Sequence, residues 1–137
     1  MPASPTPAEV ARQWFEEIWI KRDPTAIHRF MTAESKGYLE RDVTITGPDQ
    51  FLPVFHALTS TFPDLKVQID GVVGDDLHAC VRWSAHGKHS GPGMGVPATG
   101  KDISFRGITW MKVKDGKVME GWDSWNQGAL LADLGIN

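Results

Sequence analysis

Along residues 7–21, apolar side chains return every three or four positions as Ala11, Trp14, Phe15 and Ile18, with Arg12, Glu16 and Glu17 between them. That spacing predicts an amphipathic helix. Its start is marked by Thr6 as a cap, Pro7 at the first helical position and Glu9 three residues past the cap. A shorter second helix is expected from Asp23-Pro24, with Ile27, Phe30 and Met31 as its apolar edge. A third opens at Gly47-Pro48-Asp49, carries Phe51, Val54, Phe55 and Leu58, and stops before Pro63, because the residue preceding a proline avoids helical geometry. Between the second and third, "TAESKGYLERDVTITG" has little periodicity. After Phe62 the period falls to two. "LKVQIDGVV" (65–73), "LHACVRWSAHGKH" (77–89), "KDISFRGITWMKV" (101–113) and "KVMEGWDSW" (117–125) read as strands.

Gly74-Asp75-Asp76 and Lys114-Asp115-Gly116 supply turns, the second a strong hairpin signal. Three helices followed by an antiparallel meander predict an α+β fold, with the helices on one face of a curved sheet. Gly87 and Gly107, inside strands, are expected bulge or bend points that curl the sheet into a cone. "QGALLADLG" reads as a short terminal helix ending at Gly135, and residues 1–6 as an unstructured tail. With no repeat or linker, residues 1–137 are read as one domain.

Composition narrows the function classes. A net charge of −3 with scattered lysines and arginines offers no footprint for nucleic acid or an anionic membrane. No cationic leader or membrane-length apolar run is seen. Cys80 is the only cysteine, which excludes an internal disulfide and a thiolate metal cluster and suits a reducing cytoplasm. His86 and His89 fall on opposite faces of one strand, and His28 and His56 on different helices, so no metal site is expected. "GPGMGVPATG" (91–100) leads into a strand rather than a helix, so it is a hairpin loop and possible lid, not a dinucleotide fingerprint.

Strand parity locates candidate chemistry. On 101–113, Ile103, Phe105, Gly107, Thr109 and Met111 form an apolar set expected to face the helices, leaving Ser104, Arg106, Ile108 and Trp110 outside. On 117–125 the sets are Met119, Gly121, Asp123 and Trp125 against Val118, Glu120, Trp122 and Ser124, and periodicity alone does not choose between them. Asp123 is therefore either a structural acid or a desolvated one that keeps its proton to higher pH, as a general acid–base near neutrality must.

"WFEEIWIKRD", "FPDLKVQID", "VRWSAHGKHSG", "GVPATGKDISFRGI" and "VKDGKVMEGWDSWNQGALLADLG", in this order and spacing, resemble the SnoaL-like polyketide cyclase ("ester cyclase") family. That family belongs to the nuclear transport factor 2-like, ketosteroid-isomerase-like superfamily. The resemblance implies a cone-shaped α+β barrel, usually a homodimer, with an apolar cavity and no cofactor. It makes Asp123 the acid–base residue of an intramolecular aldol ring closure. The family commonly has a histidine fourteen residues earlier; here the position is Thr109, which can hydrogen-bond but cannot exchange a proton near neutrality.

The leading expectation is thus a cofactor-independent enzyme acting on an apolar, carbonyl-containing small molecule. Asp123 would move the proton, and Thr109 and Tyr38 would orient the substrate oxygen. Trp14, Ile18, Phe55, Phe105, Met111 and Trp125, with Tyr38, are the expected substrate-binding wall. Two alternatives remain: a limonene-type epoxide hydrolase, for which Asp102 and Arg106 lie on the wrong face of their strand, and a non-catalytic ligand-binding or dimerisation module. The uncovered face bearing Arg106, Ile108 and Trp110 is the expected homodimer contact.

Overall fold

The structure is a computed structural model that describes residues 5–92 and 97–135. The first four residues of the expected tail lie outside the described residues, while Thr6 already belongs to the fold as a helix cap. The Thr6 side chain accepts from the Glu9 backbone N–H at 3.2 Å, and the Glu9 carboxylate reaches back to the Thr6 N–H at 3.4 Å. This reciprocal box starts helix α1, Pro7–Trp14, which buries Val10, Ala11 and Trp14.

The chain does not stay α-helical to residue 21. From Phe15 to Ile20 it widens into a π-helix. A π turn brings residues five apart onto one face, and Trp14 and Trp19 both meet Phe51, with ring centroids 5.1 and 6.1 Å away. Asp23 caps the next turn, Pro24–Ala26, which runs into α2, Ile27–Phe30.

The stretch with little periodicity holds two strands, β1 (Met31–Tyr38) and β2 (Thr44–Thr46), joined by a turn at Glu40–Asp42. Helix α3, Pro48–Thr61, follows and buries Phe51 and Phe55. The expected meander is present as β3 (Lys66–Gly74), β4 (His78–Lys88), β5 (Asp102–Lys114) and β6 (Lys117–Trp125), closed by α4, Gln127–Asp133. The six strands form one sheet in the order β2-β1-β6-β5-β4-β3, antiparallel throughout except where β1 runs parallel to β6. Helices pack on one face of this curved sheet, and the α+β class expected from the sequence is the one observed.

Gly87 and Gly107 do not bulge. The β4–β5 ladder runs in unbroken register past both. They are sites of close approach instead: a Cβ on Gly107 would lie 2.6 Å from Trp125 Cβ and 2.6 Å from the Trp83 ring. The ladder shifts at Ile69/Gly71, at Met31/Lys36 and at Lys112/Val113.

The last shift decides the site. The hairpin turns through Asp115 and Gly116, both at positive φ, so Lys114 pairs with Lys117 and Val113 with Val118. Lys112 then pairs with Glu120, leaving Met119 as the extra residue of a bulge. Val118 and the set Gly121, Asp123 and Trp125 consequently face the helices together, and Met119 leaves the inward set. Without the bulge, Trp122 would have stood opposite Thr109; with it, Asp123 does.

Candidate active site

Between the helices and the concave face of the sheet lies a cavity of about 320 Å³. Its walls are mostly aromatic and aliphatic: Trp14, Phe15 and Trp19 from the first helical stretch, Phe51, Val54 and Leu58 from α3, and Trp83, Phe105, Met111 and Trp125 from the sheet. Trp83 packs edge-on against Phe105 at 5.9 Å, and Phe105 meets Trp125 at 5.0 Å, forming a continuous aromatic floor. Polar side chains are few: Thr109 and Asp123 on the floor, with Glu40 and Gln127 on the wall, while the exposed Lys36 side chain lies on the outer face and donates to Thr46 Oγ1 at 3.1 Å.

Thr109 and Asp123 are direct cross-strand partners. The Thr109 hydroxyl donates to Asp123 Oδ1 at 2.6 Å, and the Trp83 indole N–H donates to the same hydroxyl oxygen at 3.0 Å. Asp123 Oδ2 has no hydrogen-bond partner among the described residues, and no arginine or lysine forms an ion pair with the carboxylate there. Asp123 is half-buried and lines the cavity. Burial therefore dominates its acidity and pushes its pKa up to about 6, with the Thr109 hydrogen bond pulling the other way and the Glu40 carboxylate adding to the rise.

Glu40 is held by its own local geometry. It starts a turn in which Arg41 and Asp42 adopt left-handed backbone angles, φ 63° and 58°. Its Oε1 accepts the Trp125 backbone N–H at 2.8 Å, which fixes a second carboxylate beside Asp123.

The structure brings Asp123, Thr109, Trp14, Phe105, Met111 and Trp125 to one cavity. It does not bring Ile18, Phe55 or Tyr38. Ile18 is wholly buried in the core, and Phe55 packs behind the wall against Trp19 at 5.4 Å. Tyr38 lies on the opposite face of the sheet, stacked on Trp122 at 5.2 Å and donating to Glu120 Oε2 at 3.1 Å, so it cannot orient a substrate in the cavity. Thr109 has given its one proton to Asp123 and is not free to donate to a substrate oxygen. Asp102 and Arg106 are exposed on the outer side, as parity required.

Trp83, Trp19 and Glu40 were not anticipated as site residues. Alternation of Ala79, Val81, Trp83 and Ala85 with Cys80, Arg82 and Ser84 carried a signal for Trp83. Trp19 needed the π turn, and Glu40 sits in a turn without periodicity. The centre of the possible lid, residues 93–96, lies outside the described residues. Among the described residues no group of three metal-ligating side chains converges, and no helix is long and apolar enough to cross a membrane.

Comparison with known proteins places this architecture. The candidate SnoaL-like polyketide cyclase from Jannaschia sp. CCS1 superposes with a TM-score of 0.86 at 22% identity, covering 96% of this chain and 93% of its own. AclR, a candidate hydroxylase from Streptomyces galilaeus, gives 0.81 at 26% identity over 95% and 83% of the two chains. A protein of ketosteroid isomerase-like fold from Catenulispora acidiphila DSM 44928, solved in complex with trimethylamine, gives 0.75 at 17% identity over 97% and 96%. Among curated proteins nothing matches. A family profile described as SnoaL-like polyketide cyclase matches residues 9–134, nearly the whole domain, and the chain belongs to that family.

Proposed function

We propose that the protein is a cofactor-independent acid–base enzyme acting on an apolar small molecule with an enolisable carbonyl. The observation that supports this most is Asp123: a desolvated carboxyl with a pKa near 6, one oxygen tied to Thr109 and the other open to an apolar cavity. An acid poised there is half ionised near pH 6 and still holds a minor protonated fraction at neutral pH, so it can both take and return a proton.

In the reaction we favour, ionised Asp123 removes a proton from the carbon next to the substrate carbonyl, leaving an enolate. For ring closure the enolate carbon attacks a second carbonyl of the same molecule, and the new alkoxide takes the proton back from Asp123. For isomerisation the proton returns to a different carbon. Either way atoms balance within one substrate, and Asp123 ends as it began. Gln127 is the wall residue able to donate to the developing oxyanion. An apolar substrate filling the cavity would displace water, which strengthens these interactions.

Epoxide hydrolysis requires an arginine as well as a second acid; Glu40 supplies an acid, but no arginine is among the described wall residues. A purely structural Asp123 would be expected to meet an arginine, and none pairs with it among the described residues. On the convex face, Ile108, Trp110 and Trp122 stay 49%, 45% and 38% exposed. A second copy of the chain, paired through this face by a two-fold axis, would cover them. The lone Cys80 fits work in a reducing cytoplasm.

The test uses β-tetralone, an apolar enolisable ketone, dissolved with the protein in deuterated buffer. Proton NMR should show exchange at the carbon between the ring and the carbonyl faster than in buffer alone, and Asp123→Asn should abolish the acceleration. Exchange no faster than buffer across a panel of such ketones, or equal acceleration by Asp123→Asn, rejects the reading.

A further inference from the structure

The hydrogen bonds behind Asp123 can be counted proton by proton. An indole nitrogen can only donate, and a threonine hydroxyl carries a single proton. Trp83 is 8% exposed and Thr109 4%, so their bond is sealed within the floor of the cavity. The Trp83 N–H points at Thr109 Oγ1, 3.0 Å away, and therefore holds one of its lone pairs. The hydroxyl proton then has one recipient at hand, Asp123 Oδ1 at 2.6 Å. The reverse direction, with a protonated Asp123 donating to Thr109, would leave the hydroxyl proton without an acceptor among the described residues. An unmade hydrogen bond at so buried a hydroxyl is costly enough to disfavour that arrangement strongly.

We propose that Trp83 is a positioning residue that acts through Thr109: it makes Oδ1 of Asp123 a permanent acceptor, so the proton that Asp123 exchanges with a substrate is carried on Oδ2, the oxygen open to the cavity. The inference rests on the acid–base reading of Asp123 and adds direction to it. A carboxylic acid with a freely turning hydroxyl beside it would spend part of its time donating into the wall, where no substrate atom can reach. Trp83 removes that state without touching the substrate. Its donated proton also carries partial positive charge toward the site, which favours the ionised form. The charged group facing the cavity beside Asp123 is Glu40 from the turn after β1; Lys36 points to the outer face, where it donates to Thr46, and the other described wall residues are neutral.

The experiment is a carboxyl carbon NMR titration of the full-length protein, with the Asp123 signal assigned by its loss in Asp123→Asn. Trp83→Phe keeps a ring in the wall but removes the donor. It should raise the Asp123 midpoint by on the order of half a pH unit, because the indole proton that fixed the hydroxyl and favoured the ionised acid is gone. In a Thr109→Val background the same Trp83→Phe change should leave the midpoint where Thr109→Val alone puts it, since the relay is already cut. A side chain that serves only as packing would lower the melting temperature in both backgrounds and leave the midpoint alone. An unmoved or lowered midpoint in Trp83→Phe, or an equal shift in both backgrounds, overturns the proposal.

Should Trp83→Phe fail to fold, the unsubstituted protein still decides. The Trp83 indole N–H resonance should move with the Asp123 midpoint, and this coupling should vanish in Thr109→Val; an indole signal indifferent to that titration overturns the proposal. An Asp123 midpoint in the ordinary carboxylate range would instead reject the acid–base reading itself, so the two failures are separable.

Discussion

The strand β6 carries two carboxylates three residues apart, and they live in different chemical worlds. Asp123 faces the cavity, receives one hydrogen bond from Thr109 and is held near pKa 6 by burial. Glu120 faces the other way, where it accepts the hydroxyl of Tyr38 and raises that phenol's pKa. The tryptophans divide likewise: Trp125 walls the cavity and Trp122 stacks on Tyr38 outside. The same backbone, hydrogen-bonded to the same partner strand, thus presents one acid to the cavity and another to the outer face. What separates them is parity, and parity here is set by the single extra residue at Met119.

The comparison breaks most visibly at the level of turnover. Asp123→Asn should lower the rate of carbonyl exchange by on the order of 100-fold or more, whereas Glu120→Gln should leave it within about two-fold. A comparable loss from both substitutions would mean that the inner face has no special role. The next effect is steric. Gly107→Ala would drive a methyl group into Trp83 and Trp125 on the inner face and should cost about 2–4 kcal/mol in chemical denaturation. Gly121→Ala, whose Cβ meets only the Trp110 carbonyl at 4.0 Å, should cost under about 1 kcal/mol.

A smaller effect follows from acidity. Between roughly pH 4 and pH 6, native Asp123 keeps a proton that the unfolded chain has lost, so this residue's contribution to stability is present at low pH and fades as pH rises through 6. Because the carboxyl touches cavity water, the loss should be at most about 2 kcal/mol. Asp123→Asn should remove it, so the variant gains on the parent from pH 4 to pH 7; a constant difference across that range would contradict the raised pKa. The smallest effect belongs to the outer face. Trp122→Ala should change the monomer's stability by under about 1 kcal/mol and leave the Asp123 midpoint alone. It should, however, weaken self-association in sedimentation, and no change there would leave the convex face without its proposed occupant.

Much of this arrangement was legible in the chain, and the failures have physical causes. The four meander strands, the capping box at Thr6 and Glu9 and the inward set of β5 follow from short-range rules that tertiary contacts reinforce. The strands β1 and β2 were not legible because Glu34 and Lys36 sit among small or polar neighbours, so alternation leaves no apolar stripe to read. Tyr38 was misassigned for the same reason. Asp123 was suspected, but its face could not be settled, since a bulge leaves no mark in the alternation until pairing is known. Trp19 was missed because an α-helical pitch carries it away from Trp14; only the wider turn returns it to the wall.

The division of the six tryptophans between the two faces also gives the molecule an optical property. Trp14, Trp19, Trp83 and Trp125 wall the cavity, while Trp110 and Trp122 lie on the solvent side. Iodide, which cannot enter an apolar cavity, should quench the emission of the outer pair and leave a blue-shifted inner population. A ligand that fills the cavity would perturb that inner emission alone, and pairing of the outer faces would shield the other. Ligand binding and self-association can therefore be read separately, in one unlabelled sample, from the colour of its own fluorescence.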